Sequence, residues 1–212
     1  MANKNRHFYD SWSTVYKYRG FNRDAISLLV DRELYFASPE QLNDPHDCQI
    51  DVTAALREAL AEFDLSGASP DRKATIAAAA DELATDPEIA NKLRKMINSQ
   101  SVCSFSILPD NPLMWTHYAD GHRGFCLGFN PRLIRERPNG FHDNVVPSLI
   151  TYTDLNPFHP VLNNCLNGGY ASSDGSGPSV SLLYRMIVSG AVSTKSLAWS
   201  YEKECRYLRI QG

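Results

Sequence analysis

The residues best suited to chemistry lie near the end of the chain, in the stretch Trp199–Ile210. This stretch is rich in aromatic residues and alternates from Tyr201 onward, which is typical of a strand. Because a strand sends every second side chain to the same face, Glu202, Glu204 and Arg206 are predicted to lie together. Two neighbouring carboxylates suit a site in which one contacts the reacting group and the other handles a proton. The alternative is a charged surface edge on which Arg206 neutralises a glutamate.

The bulk composition sets limits on the kind of protein. The chain has 212 residues, a formal net charge of -3 and five cysteines. The length fits one domain, and the charge shows no global preference for nucleic acid or membranes. No apolar run approaches the roughly 20 residues needed to span a bilayer. An odd number of cysteines without paired spacing fits a reducing compartment, so a cytoplasmic location without membrane contact is expected.

Hydrophobic periodicity predicts strands and helices in mixed order. Alternating segments predict strands over 15–19, 33–37, 101–107, 124–129 and 145–152, in addition to the terminal one. Helices are predicted over 25–30, 113–119 and 179–188, and in the region 51–99, where Asp86-Pro87 marks a helix start. The predicted fold is a single α+β domain with a mixed or split sheet, a helical insertion at about 51–100 and a long loop at about 156–178.

A turn at Asn43–Asp47 carries Asp44, His46 and Asp47, whose oxygen and imidazole groups suit several divalent metals. Paired metal motifs such as HExxH or CxxC are absent from the sequence. Aspartates in a turn also bond their own backbone, which is the simpler interpretation.

Most of the chain resembles an uncharacterised bacterial domain-of-unknown-function family, number 2971 in that series. The matching motifs are Tyr16-Lys-Tyr-Arg19, Asn43-Asp-Pro-His-Asp47, Ser104-Phe-Ser106, Met114-Trp-Thr-His-Tyr-Ala-Asp120, Gly124-Phe-Cys-Leu-Gly-Phe129 and Trp199-Ser-Tyr-Glu-Lys-Glu-Cys-Arg206. This resemblance implies no activity.

A looser resemblance is to the arginine-serine-glutamate class of ADP-ribosyltransferases, which split NAD. It rests on the order Arg19-Gly20, Ser104-Phe-Ser106 and Glu202-Lys-Glu204, with Phe105 where that class has threonine. The resemblance implies that Arg19 holds the NAD phosphates, that Ser104 orients the catalytic glutamate and that Glu204 bonds the nicotinamide ribose. Glu202 would then assist the acceptor.

The chemistry expected from this resemblance is NAD consumption, by an ADP-ribosyltransferase or an NAD glycohydrolase, in a bacterial toxin or in phage defence. A fixed carboxylate stabilises the positive charge that develops on ribose as nicotinamide leaves. Trp115, Tyr118 or Trp199 would stack on a base, and Asn43, Asp44 and Asp47 would form the rim of the cleft. The acceptor, whether protein, nucleic acid or water, is open.

Two other functions remain open. The first is a non-catalytic ligand-binding or interaction module, with a pocket between the Asn43–Asp47 turn and the Trp115–Tyr118 helix. The second is a metal-dependent hydrolase or nuclease that uses Asp44, His46 and Asp47 together with Glu204.

The NAD hypothesis makes two structural predictions. Arg19, Ser104, Ser106 and Glu204 should converge on one cleft, although they are far apart in sequence. Glu204 should be half-exposed there, so that its replacement by glutamine changes folding little.

Overall fold

The computed structural model describes residues 13–44, 46–61, 70, 74, 78, 81–82, 85–137, 140–141, 145–159 and 180–209. The chain divides into two compact units, one of Met1–Ser38, Gln100–Tyr152 and Lys195–Gly212, the other of Pro39–Ser99 and Thr153–Thr194. The prediction of a single domain stays a prediction. Of the predicted long loop, residues 160–179 lie outside the described part.

The first unit is built on a five-stranded sheet. Its strands are β1 (Val15–Arg19), β2 (Ser101–Ser106), β3 (Phe125–Phe129), β6 (Val145–Leu149) and β9 (Glu204–Arg209). They lie in the order β3-β1-β2-β9-β6, and every neighbouring pair is antiparallel. The α+β class is therefore confirmed. The expectation of a mixed sheet is wrong, because each of these strands runs opposite to its neighbours.

Four two-residue strands and four helices accompany this sheet in the described residues. The two-residue strands are β4 (Glu136–Arg137), β5 (Gly140–Phe141), β7 (Thr151–Tyr152) and β8 (Thr194–Lys195), and they pair as β4-β5 and β7-β8. The helices are α1 (Arg23–Val30), α4 (Pro112–Tyr118), α5 (Pro131–Arg135) and a 3-10 helix, Leu197–Glu202. Asn22 caps α1 and Asn111 caps α4, each through a side-chain oxygen that accepts from a backbone amide.

The predicted strand at 33–37 does not form. Only Ala37 pairs, in an isolated bridge with Val102 whose two N–O distances are 2.8 and 2.7 Å. The alternating Leu34 and Phe36 instead pack, partly buried, against the core beneath the sheet. Their apolar pattern thus reflects packing of an irregular segment.

The second unit is helical in its described part. Its elements are a 3-10 helix, Pro39–Gln41, and the helices α2 (Val52–Ala61), α3 (Pro87–Asn98) and α6 (Val180–Ser193). Asp86 caps α3 and Pro87 follows at its first turn, as predicted. Helix α3 packs on both α2 and α6. The buried side chains of these helices include Leu56 on α2, Leu93 on α3 and Ile187 on α6. The other predicted apolar positions Leu60, Phe63, Ile76, Ala80 and Leu83 lie outside the described side chains.

The sheet has two distinct faces, and strand register assigns each residue to one of them. One face carries Val15, Cys103, Phe105, Cys205 and Tyr207, which form a hydrophobic core. On the other face Tyr16 lies opposite Ser106, and Ser106 lies opposite Glu204. This second face is the polar one. Helix α4 contacts β1 and the 3-10 helix Leu197–Glu202, so it brings Tyr118 to this part of the unit.

None of the helices in the described residues is long and apolar enough to cross a membrane.

Candidate functional site

The polar face of the sheet holds a buried group of four charged side chains, here called the carboxylate cluster: Lys195, Glu202, Glu204 and Arg206. The Arg206 guanidinium donates to both oxygens of Glu204, from Nε at 2.7 Å and from Nη2 at 3.2 Å. Lys195 Nζ donates to Glu202 at 2.6 Å and to Glu204 at 3.4 Å. Two cations and two carboxylates therefore balance in one network.

The burial of this cluster differs from the sequence expectation. Glu204 is 5% exposed and Arg206 is fully buried. The expected half-exposed Glu204 is therefore wrong, because β9 is an interior strand between β2 and β6. A glutamine at position 204 would leave the Arg206 charge buried without its main partner.

Glu202 reaches the cluster by a different route from the one predicted. The predicted strand from Tyr201 is replaced by the 3-10 helix Leu197–Glu202, and Lys203 follows in the left-handed region with φ 45°. The alternation of side chains along a strand therefore does not determine where the Glu202 side chain lies. Its carboxylate meets Glu204 through Lys195, which bridges both.

Ser106 fixes the backbone at this bend. Its hydroxyl donates to the Glu202 carbonyl at 2.7 Å and accepts from the Leu108 amide at 3.1 Å. The side chain is 1% exposed. In the described structure Ser106 therefore holds the chain that carries Glu202.

The two carboxyl groups have opposite pKa shifts. Burial by itself raises the pKa of Glu204, but Arg206, Lys195 and a hydrogen bond from Ser104 outweigh it and lower the pKa to about 2. For Glu202, burial outweighs the opposing effects of Lys195 and Tyr118, and the pKa is raised. Divergent acidity in a carboxylate pair is the arrangement that separates a fixed anion from a proton-exchanging group.

The Glu204 carboxyl predicts a loss of stability in acid. Because its folded pKa is lowered, its stabilisation is complete above the usual value of 4.5 and is lost as the pH falls toward about 2. The difference corresponds to about 3 kcal/mol in the free energy of unfolding. We expect urea denaturation to show a steeper decline below about pH 4.5 in the wild type than in the double variant E204Q/R206M.

The control for this experiment is internal. Glu202 acts in the opposite sense, since a raised pKa gives stability that is lost as the pH rises. The double variant retains Glu202 but removes Glu204, which is one cause of the raised pKa of Glu202, so the difference between the two pH profiles reports Glu204 together with its coupling to Glu202. Parallel profiles would contradict the assignment.

Tyrosines contact both carboxylate residues. The Tyr118 hydroxyl donates to Glu202 Oε1. The Glu204 amide donates to the Tyr152 hydroxyl at 2.7 Å, and burial raises the pKa of Tyr152. Tyr118 was expected near the site as a stacking residue. Its observed contact makes Tyr118 a hydrogen-bonding partner of Glu202, the carboxyl group whose pKa is raised.

A row of aromatic rings extends from the 3-10 helix Leu197–Glu202 to helix α4. The Tyr201 ring lies 6.1 Å from Trp199 and 5.9 Å from His117, each with a tilted geometry. Lys195 Nζ lies 4.8 Å from the centre of the Trp199 ring. Trp199 and Tyr201 are partly exposed and His117 is exposed, so this row offers ring surface beside Glu202.

Trp115 does not belong to this row. Its indole nitrogen donates to the Pro109 carbonyl at 3.1 Å, and its ring meets Tyr18 edge-on at 5.4 Å. Together with Met114 it packs against β1.

Arg19 lies on the opposite face of the sheet from Glu204. It shares its face with Val15 and Lys17, and Lys17 Nζ donates to the Ser104 carbonyl while resting 4.9 Å from the Phe105 ring. The expected convergence of Arg19 with Glu204 is therefore wrong. The register of β1 against β2 decides which face Arg19 occupies. Tyr16 pairs with Ser106, so Lys17 and Arg19 lie on the opposite face.

The Asn43–Asp47 turn belongs to the second unit. The Asp44 carboxylate accepts from the His46 amide at 2.9 Å, and its carbonyl accepts from the Asp47 amide at 3.1 Å. Both aspartates are buried. The turn-forming role is confirmed, whereas the role of Asn43, Asp44 and Asp47 at the rim of the site stays a prediction.

A metal site is not supported in the part of the chain that the structure describes. No three His, Cys, Asp or Glu side chains there are arranged to hold a metal ion. This includes Asp44, His46 and Asp47, on which the metal-dependent alternative depends.

Sequence reasoning missed Lys195, the residue that joins the two carboxylates. It stands alone between the apolar end of α6 and the Leu197–Trp199 segment, and a single lysine in such a place gives no spacing signal. It also missed Tyr152 and Tyr201. The two glutamates require a cation only because the structure buries them, since buried charges are paired.

Comparison with known proteins gives one match. Neither a curated protein nor a solved structure matches the chain, and so the resemblance to ADP-ribosyltransferases gains no support from them. The family match covers the motifs Met114–Asp120, Gly124–Phe129 and Trp199–Arg206, while the motifs at Arg19, Asn43 and Ser104 fall outside it. Residues 114–207 match the family described as Protein of unknown function (DUF2971).

Proposed function

We propose that the chain is an NAD-consuming enzyme, an ADP-ribosyltransferase or NAD glycohydrolase, whose chemistry depends on the carboxylate cluster. The observation that carries the proposal is the pair of hydrogen bonds by which Arg206 fixes the buried Glu204 carboxylate on β9, where the neighbouring strand β2 places Ser104 opposite Arg206. A serine that orients the catalytic glutamate is what the resemblance to that enzyme class implies.

The charge of Glu204 suits this reaction. When nicotinamide leaves, positive charge develops on the ribose ring, and a fixed anion stabilises that charge more in the transition state than in the ground state. A pKa of about 2 keeps Glu204 ionised at any physiological pH. Arg206 and Lys195 fix its orientation, so no reorganisation is needed during reaction.

Glu202 supplies the complementary function. Its raised pKa and its contact with Tyr118 favour proton exchange, which transfer to an acceptor hydroxyl, amine or water requires. The aromatic row of Trp199, Tyr201 and His117 lies next to it and offers a stacking surface for nicotinamide or adenine.

The diphosphate of NAD is not assigned to Arg19 in this proposal. Arg19 lies on the other face of the sheet and is therefore a matched control for the site. We expect Arg19→Ala to leave NAD binding unchanged, whereas Trp199→Ala weakens it.

The first test is ligand binding. NAD should raise the melting temperature of the wild type and of Arg19→Ala by the same amount, in the absence of divalent metal. No rise with NAD would remove the substrate from the proposal. A rise that requires Mg²⁺ or Mn²⁺ would favour the metal-dependent alternative instead.

A second candidate is a non-catalytic binding or interaction module. The observation that favours it is the mutual pairing within the cluster, where each of the four charged groups contacts an opposite charge. Such a network also serves to stabilise a fold. In that case NAD has no effect on melting and removal of the charges changes stability alone.

A further inference from the structure

Both oxygens of the Glu202 carboxylate already accept a hydrogen bond. Lys195 Nζ donates to Oε2 at 2.6 Å, and the Tyr118 hydroxyl donates to Oε1. The Glu202 side chain is 4% exposed, and that of Lys195 is 3% exposed. A molecule bound to the surface of the described residues therefore does not reach this carboxylate directly, and an ADP-ribose acceptor must exchange its proton with Glu202 through another group.

Tyr118 connects the buried carboxylate to the surface. It is the last residue of α4 and is partly exposed, whereas Lys195 is buried. The centre of its ring lies 6.4 Å from that of His117, which is exposed and belongs to the aromatic row. The Tyr118 side chain thus borders the surface on which the proposed function stacks a base of NAD.

A phenol hydroxyl can pass on a proton and stay neutral. Its oxygen donates one hydrogen bond and carries two lone pairs that accept. The donated bond of Tyr118 goes to Glu202. The oxygen can therefore take up a proton from a second hydroxyl group in the same step in which it gives its own proton to the carboxylate.

We infer that Tyr118 relays a proton from the ADP-ribose acceptor to Glu202, and that this acceptor is a neutral hydroxyl group of an alcohol or of water. The inference rests on the NAD-consuming function proposed above. In the transfer step the acceptor oxygen forms a bond to the anomeric carbon of the ribose. The glycosidic bond breaks, and its electron pair leaves with nicotinamide. The acceptor proton moves to the Tyr118 oxygen, and the Tyr118 proton moves to Glu202 Oε1.

The same arrangement disfavours a guanidinium acceptor. A guanidinium pairs with a carboxylate directly, through two parallel hydrogen bonds. Such pairing at Glu202 would displace Tyr118 or Lys195, which already donate to its two oxygens. Among hydroxyl acceptors, water can also lose its proton to bulk solvent. Hydrolysis of NAD therefore depends on the relay less than transfer to an alcohol does.

Transfer assays with methanol and with agmatine, a guanidino compound, test the acceptor class. The wild type should convert NAD and methanol to methyl ADP-ribose and should give no agmatine adduct above background. Tyr118→Phe keeps the ring and removes the hydroxyl, so methyl transfer should fall by about a hundredfold and hydrolysis by less. Tyr16→Phe is the matched control and should transfer at the wild-type rate. Tyr16 is partly exposed on the same face of the sheet, and its hydroxyl does not contact Glu202.

The pKa of Glu202, measured without NAD, shows whether the Tyr118 hydroxyl acts on the carboxylate. Burial raises this pKa, and Lys195 and the hydrogen bond from Tyr118 oppose the rise. Tyr118→Phe should therefore raise the pKa further, whereas Tyr16→Phe should not. The carboxyl NMR signal of carbon-labelled glutamate, assigned with Glu202→Gln, follows the titration. The titratable groups that act on or respond to Glu202 are Lys195 on β8, Tyr118 on α4, Glu204 on β9, Tyr152 on β7 and Tyr201.

The outcomes separate the relay from the proposed function. A folded wild type that releases no nicotinamide from NAD overturns both. An active wild type that modifies agmatine in preference to methanol overturns the relay alone. Methyl transfer by Tyr118→Phe at the wild-type rate, or an unchanged pKa of Glu202 in that variant, does the same.

Discussion

Glu204→Gln is expected to destabilise the fold by about 3–5 kcal/mol, the cost of removing one member of a buried ion pair. The affected charge is Arg206, which is fully buried and donates twice to the Glu204 carboxylate. Lys195 cannot compensate, because it carries the same sign as Arg206. Urea denaturation of the single variant gives the free energy of unfolding directly.

A double-mutant cycle shows whether this cost belongs to the pair. Arg206→Met should also destabilise, whereas E204Q/R206M should lose less than the sum of the two single changes, since no unpaired charge remains between them. The surface pair Arg123–Asp120 is the control, with an N–O distance of 3.0 Å and exposed side chains. Arg123→Ala should change the free energy of unfolding by less than about 1 kcal/mol. Similar losses for Arg123→Ala and Glu204→Gln would refute the buried-pair interpretation.

The second large effect is on catalysis. In the folded double variant E204Q/R206M, nicotinamide release from NAD should fall by at least about a hundredfold, the scale for losing one preorganised electrostatic group. Activity is compared per folded molecule, so loss of stability does not enter the result. The double variant keeps amide hydrogen bonding at position 204 but removes both the Glu204 carboxylate and the Arg206 guanidinium, so folded Arg206→Met is compared with it to assign the loss to Glu204.

Glu202→Gln separates the two reactions that the proposal includes. In the proposed reaction, Glu202 exchanges a proton with the acceptor and Glu204 faces the developing ribose charge, so hydrolysis of NAD should fall less in Glu202→Gln than in E204Q/R206M. Transfer of ADP-ribose to an acceptor should fall more steeply than hydrolysis. Equal loss of both reactions would assign Glu202 to the same step as Glu204.

Local signals in the sequence predicted the helix starts and the main strands. Asn22, Asp86 and Asn111 each precede a helix and cap it, because their side-chain oxygens accept from the free amides of the first turn. Such signals depend on a few neighbouring residues, and no tertiary contact is needed to interpret them.

The candidate site was less predictable, because it depends on register and on one bend. The face that Arg19 occupies follows from the pairing of Tyr16 with Ser106, two residues on different strands. A shift of this register by one residue would have placed Arg19 on the same face as Glu204. The position of Glu202 depends on the left-handed backbone of Lys203, which the alternating pattern of the sequence does not predict.

Burial of the cluster could not be inferred from the terminal stretch alone. That stretch shows two glutamates among three basic residues, which is equally typical of a solvated edge strand. The position of β9 between β2 and β6 is a property of the whole sheet. Lys195 then enters from a segment before the terminal stretch, on β8.

The most direct test of the account is the amount of nicotinamide that the purified wild type releases from NAD. We expect release well above the uncatalysed rate, with Arg19→Ala equal to the wild type and E204Q/R206M near background. The absence of release by folded wild type, with a protein or nucleic-acid acceptor present and absent, would contradict the NAD-consuming function. The carboxylate cluster would then be a stabilising ion network of the sheet.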